Sequence, residues 1–231
     1  MNDTHPLQFH YDAIWDRAGA AIRCGDIDCD TRLANGPDPR RGLTVIARPG
    51  APLAARFSAL LADLGAIEPG QYPHPAPDLH VTVLSLFTVG DDWRPQVERL
   101  DDYRDAVRCA VRGLPAFGIE FRGVTASRGA VLAQGFPADA TLETLRERLR
   151  AELRQRGLDG SLDQRYRLVT AHATLLRFVH PLAQPARFFD ALAALRDQPF
   201  GTMRVDEVEL VLNDWYMSSG SLQGIETLAL G

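Results

Sequence analysis

The chain has 231 residues, of which 45% are apolar and 24% are charged, a composition typical of a folded globular protein with a sizeable core. The formal net charge of -5 argues against a general nucleic-acid coat protein, although it leaves room for a locally basic cleft. All 25 basic residues are arginine, which excludes Schiff-base chemistry on lysine, pyridoxal-phosphate chemistry and a P-loop.

The first 41 residues are predicted to be an extension made of one helix and an irregular connection. Apolar residues at helical spacing indicate the helix over 11–23, and a turn-rich stretch follows it. From there to the C-terminus, residues 42–231, we expect a single folded domain. It opens with a β-branched strand over 43–49 and an amphipathic helix over 51–65. A proline-rich loop then leads into an apolar strand.

The second half of the chain repeats this order of elements. The stretches "FGIEFRGVTAS" and "GAVLAQGF" are predicted to be strands, and "DATLETLRERLRAELRQRG" is the clearest helix of the chain. The leucines of this helix form a buried stripe, and its arginines and glutamates are expected on a solvated face. A polar loop and the strand "RLVTAHATLLRF" complete the unit. The two halves therefore form a weak duplication at the level of structure.

The C-terminal part is predicted to contain a short helix near 185–196 and two strands. The strands are "MRVDEVELVLNDWYM" and "GIETLAL".

The cysteines and the apolar runs indicate the cellular compartment in which the protein is expected. Cys24, Cys29 and Cys109 form no CxxC pair and are too few for a disulfide scaffold or a zinc site, so we expect reduced thiols in the cytoplasm. The first residues lack the pattern of a signal peptide. No apolar run approaches the roughly 20 residues of a membrane span, so no membrane partner is expected.

Two apolar strands carry the same polar pattern, a histidine followed two residues later by a threonine. The first is His80 and Thr82 in "HVTV", and the second is His172 and Thr174 in "HATL". Side chains two residues apart on a strand share a face, so each strand presents an imidazole beside a hydroxyl. Packing of the duplicated units with pseudo-two-fold symmetry would bring both strands to a shared cleft.

Two imidazoles and two hydroxyls around one small volume suit a tetrahedral phosphate. One neutral histidine can take a proton from water while a protonated one gives a proton to a leaving alkoxide. Threonine hydroxyls can donate hydrogen bonds to the non-bridging oxygens. Two histidines without nearby carboxylate or cysteine ligands make a poor metal site, so neither a metal nor another cofactor is expected. A lone strand histidine would more often be a hydrogen-bonded core residue; the ordered pair favours a functional site.

The paired motifs resemble the H-x-T-x signatures of the 2H phosphoesterase superfamily, which includes RNA 2',3'-cyclic phosphodiesterases once called 2'-5' RNA ligases. The resemblance covers about residues 42–231. It implies an α+β, bilobal fold with pseudo-two-fold symmetry, in which two antiparallel-sheet lobes with helices on the outside enclose a central cleft. It also implies metal-independent hydrolysis of a 2',3'-cyclic or 2'-5'-linked phosphodiester.

The resemblance carries over to this chain at four positions. His80 and His172 would be the acid–base pair, and Thr82 and Thr174 would hold the phosphate. In several members of the superfamily the first-motif histidine protonates the leaving oxygen and the second activates water. Because the site is nearly symmetric, the sequence leaves the roles of the two histidines open.

Five further residues are candidate substrate contacts. Trp215 and Tyr216, near the end of a predicted strand, could stack on a base or pack in the core. Strand alternation puts Arg177 on the face opposite the second motif, where a structural salt bridge is at least as plausible as a phosphate contact. His74 in the proline-rich loop and Arg128 before a predicted strand could line the mouth of the cleft.

Three functions remain open on the sequence alone. The first is a phosphodiesterase acting on a nucleotide or RNA-end phosphodiester. The second is a module that binds a nucleotide or an RNA end without turnover, and the third is a phosphodiesterase for a cyclic phosphate unrelated to nucleic acid. No obligatory protein partner is inferred.

Overall fold

The computed structural model describes residues 5–33, 36, 38–164 and 167–231. The expected extension over 1–41 includes residues 1–4, 34–35 and 37, which lie outside the described residues. The elements follow in chain order: α1 Leu7–Arg23, β1 Arg41–Ala47, α2 Ala51–Ile67, β2 Tyr72–Pro73, β3 Val81–Gly90, α3 Arg94–Val97, α4 Leu100–Val111, β4 Phe117–Ser127, β5 Ala130–Pro137, α5 Thr141–Gln155, β6 Ala173–Arg177, α6 Pro185–Ala194, β7 Pro199–Val205, β8 Glu207–Asn213 and β9 Gln223–Ala229.

The strands form one antiparallel sheet with the order β7-β4-β5-β6-β3-β1-β8-β9, and the short β2 pairs with β6. Its two halves, β7-β4-β5-β6 and β3-β1-β8-β9, meet where β3 pairs with β6. That contact consists of a single residue pair, Val81 with Ala173. Two four-stranded lobes joined at a narrow seam, together with the packed helices, confirm the bilobal α+β fold expected from the resemblance.

The duplicated units predicted from the sequence occupy equivalent places in the sheet. In one half β1, α2 and β3 come in this order along the chain, with the two-residue β2 between α2 and β3, and β1 lies next to β3. In the other half β5, α5 and β6 come in the same order, and β5 lies next to β6. The central strands β3 and β6 are therefore related by pseudo-two-fold symmetry, and each of them begins directly after a motif histidine.

The helices pack because their apolar residues recur every three or four positions. Leu53, Phe57, Leu60 and Leu64 form the buried side of α2. The corresponding stripe of α5 is Leu142, Leu145, Leu149 and Leu153. Burial of a large aliphatic side chain stabilises the fold by about 1.5–3 kcal/mol, so these stripes hold the helices against the sheet.

Helix α1 packs against β4 and α6. Trp15 stacks on Phe189 of α6 with the ring centroids 5.1 Å apart. The hydroxyl of Thr125 on β4 donates a hydrogen bond to the backbone carbonyl of Tyr11 at 2.9 Å. In the described ranges, no helix combines the length and the apolar character needed to cross a membrane.

The segment predicted as one strand, "MRVDEVELVLNDWYM", is instead two strands that separate at Asp206. Strand β7 pairs with β4 at one edge of the sheet, whereas β8 pairs with β1 in the other half. Since one residue joins these distant positions in the strand order, the sheet must curl until the end of β7 approaches the start of β8. The apolar alternation changes phase at the same point, because Asp206 and Glu207 are consecutive exposed residues between the buried Val205 and Val208. These two acidic residues were a local sign of the break.

Candidate active site

The motif side chains come together at the seam between the two halves of the sheet. Val81 pairs with Ala173, so the antiparallel register places His80 opposite Thr174 and Thr82 opposite His172. Val81 and Ala173 are both 1% exposed and point into the core. The two histidines and two threonines are partly buried and line one cleft on the other face.

The cleft has a volume of about 750 Å³, which lies in the range of sites for small organic ligands. Helix α1, strands β3, β5 and β6, and the loop after β8 contribute to its walls. In the described part of the chain, the hydroxyls of Thr82 and Thr174 make no hydrogen bond to the protein. Both hydroxyls are therefore available to a ligand in the cleft.

His80 is oriented by the backbone that precedes its strand. Its Nδ1 lies 2.7 Å from the carbonyl oxygen of Asp78. Because a carbonyl only accepts hydrogen bonds, Nδ1 carries the proton and Nε2 is left for the cleft. The buried carboxylate of Asp78 in turn accepts a hydrogen bond from the backbone N–H of Ser219 at 2.9 Å, which fixes this turn.

His172 is oriented by a side chain instead. Its Nδ1 lies 2.8 Å from the hydroxyl oxygen of Thr170, two residues earlier. A hydroxyl both donates and accepts, so this contact permits either neutral tautomer of His172. As with His80, the contact occupies Nδ1 and leaves Nε2 for the cleft.

Both imidazoles are held neutral by their surroundings in the cleft. Burial lowers the pKa of His80 to about 4, although the hydrogen bond to the Asp78 carbonyl opposes the shift. Burial also lowers the pKa of His172 to about 4, and the charges of His80, Arg146 and Arg177 add to the effect. A phosphodiester anion between the two rings would favour their protonated forms, and so would move both pKa values back up.

Arg177 lies in the cleft, so the expectation that it points to the opposite face is wrong. The pairing of β5 with β6 shifts between Leu132–Thr174 and Val131–Leu176, which leaves one extra residue on β6. Such a bulge reverses the alternation of side chains beyond it. Arg177 thus returns to the face of Thr174, and its guanidinium lies 5.6 Å from the ring centroid of Tyr216.

Arg146 of α5 joins the two motif strands from within the core. Its guanidinium donates hydrogen bonds to the carbonyls of Thr82 at 3.1 Å, Val83 at 2.9 Å, Val169 at 3.0 Å and Thr170 at 2.8 Å. Burial lowers the pKa of Arg146 to about 10, which still leaves the group charged at neutral pH. One side chain therefore ties Thr82 to the residue that orients His172.

The expectation of a solvated face on α5 is wrong for two of its arginines. Arg146 is 1% exposed and Arg150 is fully buried, where its guanidinium is 2.7 Å from Asp163. These arginines lie four and eight residues after Leu142, on the side of the helix that carries the leucine stripe. Their spacing from Leu142 therefore indicated burial, but the glutamates beside them in the sequence favoured the interpretation of a solvated charged face.

Three of the candidate substrate contacts line the cleft and have partners of their own within the protein. Tyr216 is buried, and its hydroxyl donates a hydrogen bond to Asp30 at 2.9 Å. The partly buried Trp215 lies under the guanidinium of Arg40, 5.7 Å from the ring centroid. Arg128 lies at the turn between β4 and β5, where Asp26 and Asp28 neutralise its charge.

His74 is a buried lining residue of the cleft, with 3% of its surface exposed. Its ring meets Tyr72 edge to face at 5.3 Å, and neither ring nitrogen is bonded to another described residue. Burial lowers the pKa of His74 to about 3, so the ring is neutral.

Metal ligands do not gather in the described part of the chain. No three histidine, cysteine, aspartate or glutamate side chains there are arranged to hold an ion.

A comparison with models of known protein families identifies one family. A family model of the 2'-5' RNA ligase superfamily matches residues 49–214 of the chain. No curated protein matches it.

Solved structures with the same fold include TT0787 of Thermus thermophilus, at 21% identity and a TM-score of 0.59 over 82% of this chain and 97% of that one. LigT of E. coli, solved with 3'-AMP, is 16% identical with a TM-score of 0.56, covering 83% of this chain and 98% of its own. A conserved protein of unknown function from Agrobacterium tumefaciens is 16% identical with a TM-score of 0.53, covering 93% of this chain and 98% of its own.

Proposed function

The chain belongs to the 2'-5' RNA ligase superfamily, and we propose that it is a metal-independent phosphodiesterase for a 2',3'-cyclic or 2'-5'-linked phosphodiester of a nucleotide or an RNA end. The observation that carries the proposal is the pairing of Val81 with Ala173, which sets the two His-x-Thr motifs against each other across one cleft. The family supports phosphodiester chemistry, and the nucleotide in the LigT structure supports the substrate class.

The phosphate is held by hydrogen bonds and positive charge rather than by a metal. The hydroxyls of Thr82 and Thr174 donate to its two non-bridging oxygens, and these bonds strengthen as charge builds there in the transition state. Arg177, which the bulge in β6 returns to the cleft, adds positive charge on the same side.

The two histidines divide the proton transfers. His172 takes a proton from water through Nε2 while the water oxygen bonds to phosphorus. This role requires the tautomer with the proton on Nδ1, which donates to the Thr170 hydroxyl and is one of the two that their 2.8 Å contact permits. The bond from phosphorus to the leaving ribose oxygen breaks, and protonated His80 gives that oxygen its proton. Burial lowers the pKa of both histidines, but for His80 the hydrogen bond to the Asp78 carbonyl favours the protonated form, and this difference supports the assignment.

Turnover in the presence of a chelator is the direct test of this function. We expect the protein to convert at least one nucleoside 2',3'-cyclic phosphate or 2'-5'-linked dinucleotide to a monophosphate product in EDTA, because no step uses a metal. ³¹P NMR of the reaction identifies which ester bond has broken.

A His172→Ala protein purified in the same way is the control for a contaminating enzyme. Activity that disappears in EDTA would contradict the metal-free mechanism, and activity retained in His172→Ala would contradict the assigned site. Tight binding without any product would favour a binding module instead. Turnover confined to cyclic phosphates that lack a nucleoside would change the substrate class.

A further inference from the structure

The ladder between β5 and β6 stops one step short of His172. Its last pair is Ala133 with Ala173, and the same register would next pair Gln134 with His172 and then Gly135 with Ala171. The two backbones do approach closely there, since a Cβ on Gly135 would lie 2.0 Å from the carbonyl oxygen of Ala171. A side chain from a distant part of the chain enters the ladder at this point.

That side chain is Tyr11 of α1, which is fully buried. Its hydroxyl donates a hydrogen bond to the carbonyl of Gly135 at 2.9 Å. Its oxygen accepts hydrogen bonds from the N–H of Gly135 and the N–H of Ala171, both at 3.1 Å. One donor and two acceptor positions are the whole capacity of a phenol hydroxyl, so the group is saturated.

We infer that Tyr11 is a positioning residue for His172. Ala171 is the residue directly before His172, and its N–H has no strand partner once the ladder has ended. The Tyr11 hydroxyl supplies that partner and holds the backbone from which the imidazole projects. A displacement of about 1 Å in a reacting group can cost about a hundredfold in rate, so a fixed backbone at this point matters for proton transfer.

Two further features agree with this role. Burial raises the pKa of Tyr11 above its usual value, so the hydroxyl keeps its proton and its donor at any working pH. Helix α1 lies outside residues 49–214, the part matched by the superfamily, yet it contributes Ile14, Arg17 and Ala18 to the cleft wall. The helix is thus part of the site in this chain.

The test replaces Tyr11 by phenylalanine, which keeps the ring and removes only the hydroxyl. We expect kcat to fall about tenfold to a hundredfold, with KM within about twofold, because substrate binding by the threonines is untouched. The kinetic readout rests on the proposed function. The NMR titration of the two imidazoles is independent of that function. In the Tyr11→Phe variant the titration curve of His172 should shift relative to the wild type, whereas the curve of His80 should be unchanged.

Thr125→Val is the matched control, because it removes the bond from β4 to the backbone of Tyr11 without touching Ala171. If α1 is only a structural support, both variants will lower the melting temperature and leave kcat and the His172 titration unchanged, which would overturn the inference.

The unaltered protein offers a test that needs no variant. We expect the amide of Ala171 to exchange with solvent as slowly as the amides of the β5–β6 ladder, and rapid exchange would contradict the bond to Tyr11. A wild-type protein without phosphodiesterase activity would refute the proposed function, while the titration and the exchange measurements would still decide the role of Tyr11.

Discussion

Replacing His80 or His172 by alanine is expected to lower kcat on a 2',3'-cyclic nucleotide by about 100-fold to 10,000-fold. Each histidine has one proton to transfer, and general acid or base catalysis contributes about that much. Since both act in one step, the double variant should lose little more than either single variant. Rates are measured under single-turnover conditions, so that product release does not mask the chemistry.

His180→Ala is the control for this pair, because His180 is an exposed histidine outside the cleft. It should retain the wild-type rate. A single cleft variant that keeps more than a tenth of the wild-type rate would mean that its imidazole does not transfer the proton assigned to it.

The second large effect is expected on stability. Arg146→Met should lower the free energy of unfolding by about 3–5 kcal/mol, as measured by urea denaturation. The four carbonyls that bind the guanidinium stay buried when it is removed, and unpaired buried polar groups are costly. Arg146→Lys should also be destabilising, because one ammonium cannot reproduce the planar array of five donors.

Arg154→Met on the exposed face of the same helix is the matched control, and its effect should stay within about 0.5 kcal/mol. If Arg146→Met is no more destabilising than Arg154→Met, the two motif strands are not held together through this side chain.

The local part of the site could be predicted from the sequence. Alternation along a strand puts a histidine and the threonine two residues later on one face, and this depends only on backbone geometry. The duplication of strand, helix and loop predicted that the motif strands hold equivalent places. The sequence pattern did not predict the register of β3 against β6. The paired residues, Val81 and Ala173, are 92 positions apart in the chain, and such a pairing is decided by the packing of the whole sheet.

The errors have particular physical causes. Arg177 was assigned to the wrong face because a bulge in β6 is a feature of the pairing with β5, not of the β6 sequence. Arg146 was assigned to solvent because the pattern of charges along a helix does not reveal the four backbone carbonyls that accept hydrogen bonds from this side chain on the buried side. The role of Tyr11 was invisible because the contact joins residues 160 apart in the chain.

A crystal structure with a bound nucleoside monophosphate product tests the central claim most directly. That claim is that the two His-x-Thr motifs form one phosphate site. We predict a phosphate whose oxygens lie within about 3 Å of the hydroxyls of both Thr82 and Thr174, with Nε2 of His80 and of His172 on either side. A phosphate ordered elsewhere in the cleft, or bound by only one of the two motifs, would contradict it.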